Sequence, residues 1–220
     1  MKTIGMITIG QAPRDDVVPE MEKVLGPGLR IAQAGALDGL SRAEIAALAP
    51  APGQFPLITR VLDGTSVVIA KEAIIPLLQA CLDRLAAQAT SFAILCTGKF
   101  PRLRCARPVL EPERLLFAAT QAIFSDAPLG VIVPIEAQRS AATARWSRIT
   151  PEVTVAVASP YAGPDPLVRA AEELGRAGAR LVVMDCMGFT QAARSVVRDV
   201  TGAAVLLPSS LLARMVAEVA

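Results

Sequence analysis

The chain has 220 residues and a net charge of +2, and 53% of its residues are hydrophobic against 19% charged and 4% aromatic. This composition excludes a disordered chain. The length is sufficient for one large domain or two small ones, each with a hydrophobic core. Histidine is absent, which excludes histidine triads, histidine-ligated zinc and a histidine general base.

Apolar runs, capping signals and glycine or proline breaks predict strands and helices in alternation. In chain order we predict strand 4–9, helix 15–25, strand 29–37, helix 41–48, hairpin strands 57–62 and 66–70, helix 71–88, strand 92–96 and helix 112–125. The second half continues with strand 129–133, helix 136–149, strand 153–158, helix 166–177, strand 180–186, helix 190–199, strand 203–207 and helix 209–219. This order predicts an α/β fold with a mainly parallel sheet.

Two of the apolar runs end in the sequence Cys-x-Gly, one at Cys96 and one at Cys186. A short run with no polar face is typical of a parallel strand that is buried on both sides. Ligands bind at the carboxyl ends of such strands in open α/β sheets. We therefore predict that Cys96 and Cys186 face each other across one small-molecule site.

A weak internal repeat accompanies the two Cys-x-Gly turns. Each half of the chain begins with an apolar strand that leads to an arginine, Arg14 in the first half and Arg139 in the second. We predict two similar lobes, formed by residues 1–100 with 208–220 and by residues 101–207. A cleft between the lobes would bring both cysteine strands to a shared active site.

The cysteine spacing and the single glycine after the first strand indicate whether the chain binds a metal or a nucleotide cofactor. Cys81 lies in a predicted helix among leucines and is predicted to be a core residue, and Cys105 lies in an arginine-rich loop at the surface. The cysteines lack the CxxC spacing of zinc ribbons and thioredoxin-like pairs, so we expect no metal. Gly10 follows the first strand alone, where a dinucleotide fingerprint needs three glycines. We expect no cofactor.

Partners and location follow from what the sequence lacks. The arginines are scattered and the aromatic residues are few, so we expect no nucleic-acid partner. No apolar run approaches the roughly 20 residues that span a bilayer, and the N-terminus lacks the pattern of a signal peptide. We therefore expect no membrane partner and a cytoplasmic protein with reduced thiols. The low charge and apolar bias favour self-association into a homo-oligomer.

Six segments, read together, resemble the AroM family. They are Thr8–Arg14, Leu37–Ser41, Leu95–Gly98, Gly130–Pro134, Ala158–Tyr161 and Asp185–Phe189. The chain also resembles the wider aspartate/glutamate/hydantoin racemase superfamily, which includes maleate isomerase and arylmalonate decarboxylase. This resemblance implies two pseudo-symmetric α/β lobes, one cysteine from each lobe, and no metal or pyridoxal phosphate. On this analogy Cys96 and Cys186 are the catalytic pair.

The residues around the cysteines agree with the superfamily in part. Thr97 fits the small hydroxyl or amide residue that follows the first cysteine, whereas Met187 replaces the usual threonine after the second. Gly10 and Gln11 stand where amino-acid racemases often carry an acid and a serine. These departures leave the two-cysteine geometry intact and argue against an amino acid as the substrate.

Moving a proton on a carbon next to a carboxylate needs a base on one face and an acid on the other, and two cysteines can exchange these roles. We therefore predict a cofactor-independent racemase or isomerase of a small carboxylate or amino-acid-like substrate, using Cys96 and Cys186. The predicted substrate-binding residues comprise donors beside the two cysteines, a glycine, an amide and an arginine clamp: Gly10, Gln11, Arg14, Thr97, Gly98, Met187 and Gly188.

Two other readings of the same pocket stay open. One is a decarboxylase or lyase that needs a single essential cysteine. The other is a non-catalytic regulator that binds a small carboxylate. Ser159 and Tyr161 are predicted to shape a turn, and Asp185 is predicted to point away from Cys186 towards a structural partner such as a helix N-terminus or an arginine.

Overall fold

The computed structural model describes residues 2–124 and 126–220 and has parallel, helix-flanked sheets, which confirms the predicted α/β class. The strands are β1 (Lys2–Thr8), β2 (Leu29–Gly35), β3 (Pro56–Arg60), β4 (Ser66–Ala70), β5 (Ser91–Leu95), β6 (Val109–Leu110), β7 (Leu129–Val133), β8 (Val153–Val157), β9 (Leu181–Met184) and β10 (Ala204–Leu206). The helices are α1 (Val18–Leu25), α2 (Arg42–Ala47), α3 (Lys71–Leu85), α4 (Pro112–Ile123), α5 (Arg139–Trp146), α6 (Pro164–Arg176), α7 (Gln191–Thr201) and α8 (Pro208–Val219).

The chain divides into two compact units. The first unit runs to Glu113 and includes Leu212–Ala220, and the second unit is Arg114–Leu211. The division therefore falls inside α4 and inside α8.

A four-stranded parallel sheet with the order β2-β1-β5-β6 forms the centre of the first unit. Ile4 and Ile7 on β1 are fully buried, as expected for a strand covered on both faces. The register pairs Thr8 with both Gly35 and Leu95, so β1, β2 and β5 end at the same edge of the sheet. The residues that follow these three strands consequently lie close together.

β3 and β4 form a separate antiparallel hairpin in the first unit, as the Asp63-Gly64 sequence predicts. Gly64 has a φ of +85°, a backbone region that favours glycine. On β3 the side chains of Leu57 and Thr59 share one buried face. Leu57 joins the apolar core of this unit, which anchors the hairpin to it.

The second unit contains a parallel sheet with the order β8-β7-β9-β10. When the strands of each sheet are numbered in chain order, both sheets have the arrangement second, first, third, fourth. The β3–β4 hairpin is an insertion before the third strand of the first sheet. The sequence repeat therefore corresponds to a repeated topology, in which β5 and β9 are equivalent strands and α3 and α6 are the helices that lead into them.

Most differences from the predicted elements lie at element ends. The predicted helix 136–149 is a 3₁₀ turn at Glu136–Gln138 followed by α5. β6 was not predicted, because two residues are too few for a hydrophobic pattern. The predicted end of a helix at residue 125 lies outside the described residues.

Helix α2 begins with the capping box that its sequence predicts. At α2 the Ser41 hydroxyl accepts a hydrogen bond from the Glu44 N–H, and the Glu44 carboxylate accepts one from the Ser41 N–H, which confirms the predicted capping box. Pro76 lies inside α3, which begins at Lys71.

Across residues 2–124 and 126–220, no helix combines the length and apolar character needed to cross a membrane.

Candidate functional site

Cys96 and Cys186 lie at equivalent points of the two sheets. Cys96 follows β5 directly, and Cys186 follows β9 after one residue. Each residue is 8% exposed. Cys96 belongs to the apolar cluster that includes Ile94 and residues of α3, and Cys186 belongs to the cluster that includes Met184 and residues of α6. Both thiols therefore lie on the sheet face covered by the helix that leads into their strand.

The turn after Cys96 brings a backbone donor to the sulfur. The Gly98 N–H donates to Cys96 Sγ over 3.3 Å. A Cβ on Gly98 would lie 3.1 Å from Leu57 Cδ2 of the hairpin and 3.3 Å from Cys96 Sγ, so glycine permits this tight turn. Thr97, between them, is buried. A backbone N–H aimed at a cysteine sulfur stabilises negative charge on it.

Gly10 and Gln11 connect the end of β1 to the hairpin. A Cβ on Gly10 would overlap the carbonyl oxygen of Arg60, so only glycine allows the hairpin to approach this closely. Gln11 Nε2 donates to the Leu37 carbonyl over 3.2 Å, and Gln11 Oε1 accepts from the Leu62 N–H over 2.9 Å. Gln11 thus holds the far end of the hairpin against the segment that follows β2.

Arg14 forms a buried ion pair within its own segment. Its guanidinium donates to both carboxylate oxygens of Asp16, over 2.7 and 2.9 Å, and to Thr8 Oγ1 over 2.9 Å. Arg14 is only 3% exposed. Burial acts to raise the pKa of the Asp16 carboxyl, but the hydrogen bonds and charge of Arg14 outweigh it and hold that pKa below its usual value. Binding of a substrate carboxylate by Arg14 stays a prediction and would compete with Asp16.

The turn after Cys186 packs against the loop that follows β8. A Cβ on Gly188 would lie 2.7 Å from the Tyr161 hydroxyl and 2.9 Å from Pro160 Cγ. The Cys186 N–H donates to the Met184 carbonyl over 2.9 Å. Met187 is buried, so its thioether lies in the interior. Tyr161 was predicted to shape a turn, and the structure places its hydroxyl beside the second Cys-x-Gly turn.

Asp185 points to the other face of β9, as predicted. Its Oδ2 accepts from Trp146 Nε1 over 3.0 Å and from Arg145 NH1 over 3.3 Å. The Arg145 guanidinium also lies over the Trp146 ring, 4.5 Å from its centre. An ion pair and an aromatic ring from α5 therefore brace the residue before Cys186. The sequence predicted the arginine partner but gave no signal for Trp146.

The two remaining cysteines lie away from these turns. Burial raises the pKa of the Cys81 thiol to about 11, although the nearby Arg84 charge opposes the shift. Cys105 is half-buried, and its sulfur accepts a hydrogen bond from the Arg107 N–H over 3.4 Å. Within the part of the chain that the structure describes, no three Cys, Asp or Glu side chains are grouped so that they could hold a metal ion.

The predicted site residues thus form two groups, one in each unit. Gly10, Gln11 and Arg14 follow β1 in the first unit, where Cys96, Thr97 and Gly98 follow the neighbouring β5. Cys186, Met187 and Gly188 follow β9 in the second unit. The joining of the two groups into one site stays a prediction. Thr59 was not predicted to lie at this edge, although the alternation of Leu57 and Thr59 on one strand face indicates that both side chains share a buried side.

Solved structures of several racemases and of a decarboxylase share this fold. Glutamate racemase from Francisella tularensis, in complex with D-glutamate, is 14% identical with a TM-score of 0.61, covering 99% of this chain and 80% of that chain. Allantoin racemase from Pseudomonas fluorescens is 13% identical with a TM-score of 0.61, covering 99% and 89%. Unliganded arylmalonate decarboxylase is 15% identical with a TM-score of 0.59, covering 99% and 91%. At these identities the likeness establishes the fold.

The amino-acid sequence itself identifies the family. No curated protein matches the chain. Residues 4–220 match the family model described as AroM protein, which is almost the whole chain. The match includes both Cys-x-Gly turns, the Gly10–Arg14 segment and the Tyr161 loop. The chain therefore belongs to the AroM family.

Proposed function

We propose that this chain is a cofactor-independent racemase or isomerase of a small carboxylate and that Cys96 and Cys186 are its acid and base. One observation carries the proposal. Two sheets of identical strand order each place a nearly buried cysteine at the carboxyl end of the third strand, two residues before a glycine. This edge is where open α/β sheets bind ligands.

The proposed reaction moves one proton at the carbon next to the substrate carboxylate. One cysteine, as a thiolate, removes the proton and leaves a planar intermediate, and the thiol of the other cysteine gives a proton to the opposite face. The Gly98 N–H at 3.3 Å from Cys96 Sγ favours the thiolate at that position. Such chemistry needs reduced cysteines, so we also propose a cytoplasmic location.

Carboxylate binding in this proposal depends on donors at the two turns. In this proposal the backbone N–H groups after each cysteine, at Thr97, Gly98, Met187 and Gly188, bind the carboxylate, with the Gly98 N–H shared between the ligand and Cys96 Sγ. Gly10, Gln11 and Arg14 border the first turn and complete the proposed binding residues. The shared fold with a glutamate racemase that binds D-glutamate supports a small carboxylate as the substrate class.

A second candidate is a decarboxylase or lyase that uses one essential cysteine. The fold likeness to arylmalonate decarboxylase favours it. In this reaction the carbon–carboxylate bond breaks, carbon dioxide leaves, and a single cysteine thiol protonates the resulting carbanion.

Incubation with small dicarboxylates and amino acids in deuterium oxide tests the proposal. Proton NMR should show deuterium at the substrate α-carbon with the native protein, and Cys96→Ser and Cys186→Ser should each abolish the exchange. Cys105→Ser is the matched control and should exchange like the native chain. Release of carbon dioxide that survives one of the two substitutions would establish the decarboxylase instead. Exchange that survives both substitutions together would refute a cysteine-dependent reaction.

A further inference from the structure

The far end of the β3–β4 hairpin lies over the edge of the first sheet, beside the Cys96 turn. The Gln11 N–H donates to the Arg60 carbonyl over 3.5 Å, and the Leu62 N–H donates to Gln11 Oε1 over 2.9 Å. At the base of the hairpin, the Ala70 N–H donates to the carbonyl of Leu48, at the end of α2, over 2.7 Å. The base is therefore fixed to the body of the unit, and Gln11 fastens the far end.

Thr59 presents an unpaired hydroxyl to this edge. The residue is 1% exposed, and its Oγ1 has no hydrogen-bond partner among residues 2–124 and 126–220. A Cβ added to Gly10 would overlap that oxygen, so the hydroxyl is aimed at the Gly10 backbone. Buried hydroxyls in folded proteins nearly always have a partner. An exception at the binding edge of a sheet points to a partner that arrives with a ligand.

The strand register places the segment that Thr59 faces next to the Cys96 turn. Thr8 pairs with Leu95, so the segment from Ile9 to Gly10 runs beside the Cys96–Thr97 segment. Adjacent strands are about 4.8 Å apart, which is roughly the length of a small dicarboxylate. Leu57, on the same face of β3, already lies at the Gly98 turn. The hairpin face therefore spans the edge from Gly10 to the turn that holds the thiol.

We infer that Thr59 is a ligand-binding residue whose hydroxyl donates a hydrogen bond to a carboxylate oxygen of a small molecule held beside Cys96. The inference rests on the proposed function and deepens it by assigning a donor outside the two Cys-x-Gly turns. Release of the Gln11 bonds frees the far end of the hairpin and admits the ligand, and closure places Thr59 on the carboxylate. The hydroxyl adds no charge, so it selects a carboxylate by hydrogen bonding without competing with Asp16 for Arg14.

Alkylation of Cys96 by iodoacetate and by iodoacetamide tests this assignment with two reagents that differ in one carboxylate. In both, the thiolate attacks the methylene carbon, iodide leaves, and a thioether forms. Peptide mass spectrometry gives the rate at each cysteine. Thr59→Val should lower the ratio of the iodoacetate rate to the iodoacetamide rate at Cys96 by about tenfold, which corresponds to one lost hydrogen bond to a charged group. Thr59→Ser keeps the hydroxyl and should restore the ratio.

Two matched controls remove buried hydroxyls that lie elsewhere in the chain. Thr120 in α4 and Ser91 at the opposite end of β5 also have unpaired hydroxyl oxygens among the described residues. Thr120→Val and Ser91→Ala should leave the rate ratio at Cys96 unchanged. A thermal unfolding midpoint of Thr59→Val at or above that of the native chain shows that the variant folds. An unchanged ratio in Thr59→Val, or an equal fall in either control, overturns the inference.

The outcome is separable from that of the proposed function. Exchange that depends on Cys96 and Cys186, together with an unchanged ratio in Thr59→Val, would retain the racemase and overturn the role of Thr59. A ratio that falls only in Thr59→Val, with no exchange for any carboxylate, would retain the binding role and overturn the racemase.

Discussion

The two units repeat one backbone plan but surround its key cysteine with different side chains. β5 and β9 occupy the same position in their sheets, and Cys96 and Cys186 are equally buried. In the first unit a hairpin inserted before the third strand covers the turn, whereas in the second unit the Tyr161 loop does so. The repeated topology therefore determines where the thiols lie in each sheet. The hairpin in the first unit and the Tyr161 loop in the second determine which side chains pack against each cysteine turn.

The charged pairs of the two units differ in the same way. In the first unit both members come from one segment, as Arg14 binds Asp16 two residues later. In the second unit Asp185, which directly precedes the cysteine, binds Arg145 from α5. The residue before the second cysteine is thus held by an ion pair to a neighbouring helix, whereas the ion pair of the first unit lies in the segment after β1.

The largest effect is expected from Asp185→Ala. The substitution removes the carboxylate that accepts from both Arg145 NH1 and Trp146 Nε1, so the free energy of unfolding should fall by about 3–5 kcal/mol. Chemical denaturation measures this loss. Asp199→Ala is the control, because its pair with Arg198 is exposed and should matter by less than about 0.5 kcal/mol. A loss from Asp185→Ala no larger than that of the control would show that the second turn is not braced by this pair.

Gly10→Ala should reveal how firmly the hairpin is held over the first turn. The new Cβ overlaps the Arg60 carbonyl, which is backbone and moves only with β3, so we expect a loss of about 2–3 kcal/mol. Gly188→Ala should cost less, because its Cβ meets side-chain atoms of Pro160 and Tyr161 rather than backbone. Gly28→Ala meets nothing within 4 Å and should be neutral or slightly stabilising. Equal losses at positions 10 and 28 would contradict the close approach of the hairpin.

Cys81→Ala should change how stability depends on alkaline pH. The pKa of Cys81 is raised from about 9 to about 11, so the folded chain holds this proton more tightly than the unfolded chain. The stability that this gives is complete below pH 9 and is lost as the pH rises towards 11, by about 2–3 kcal/mol. The stability advantage of the native chain over Cys81→Ala should therefore shrink in that window. An advantage over Cys81→Ala that stays constant between pH 9 and pH 11 would refute the assignment.

The sequence predicted most of the fold because buried parallel strands leave a strong local signal. Unbroken apolar runs located β5, β7 and β9 to within about two residues, and Ser41 with Glu44 marked the start of α2. Contacts between segments distant in sequence were not predictable in the same way. Nothing near β3 indicates that it lies against Gly10, because that contact depends on how the hairpin folds back over the sheet.

The candidate site shows the same limit at the level of single residues. Cys96 and Cys186 were found from their position at strand ends, which is a local pattern. Arg14 was predicted to bind a ligand, yet its nearest carboxylate belongs to Asp16, two residues further along the chain. The sequence holds both residues but does not reveal that the arginine folds back onto the aspartate while bonding Thr8. Side-chain pairing depends on burial and rotamer, which the pattern of residue types does not encode.

The smallest effect is expected from Asp16→Asn in acid. The pKa of Asp16 lies below its ordinary value near 3.8, so the folded chain releases this proton more readily than the unfolded chain. The stability gained is complete above pH 3.8 and is lost as the pH falls through the folded-state value. Urea denaturation from pH 7 to pH 2 should show the advantage of the native chain over Asp16→Asn narrowing below pH 3.8. Equal stability of the two chains at pH 7 would mean that Thr8 and burial, rather than the charge of Asp16, hold Arg14 in place.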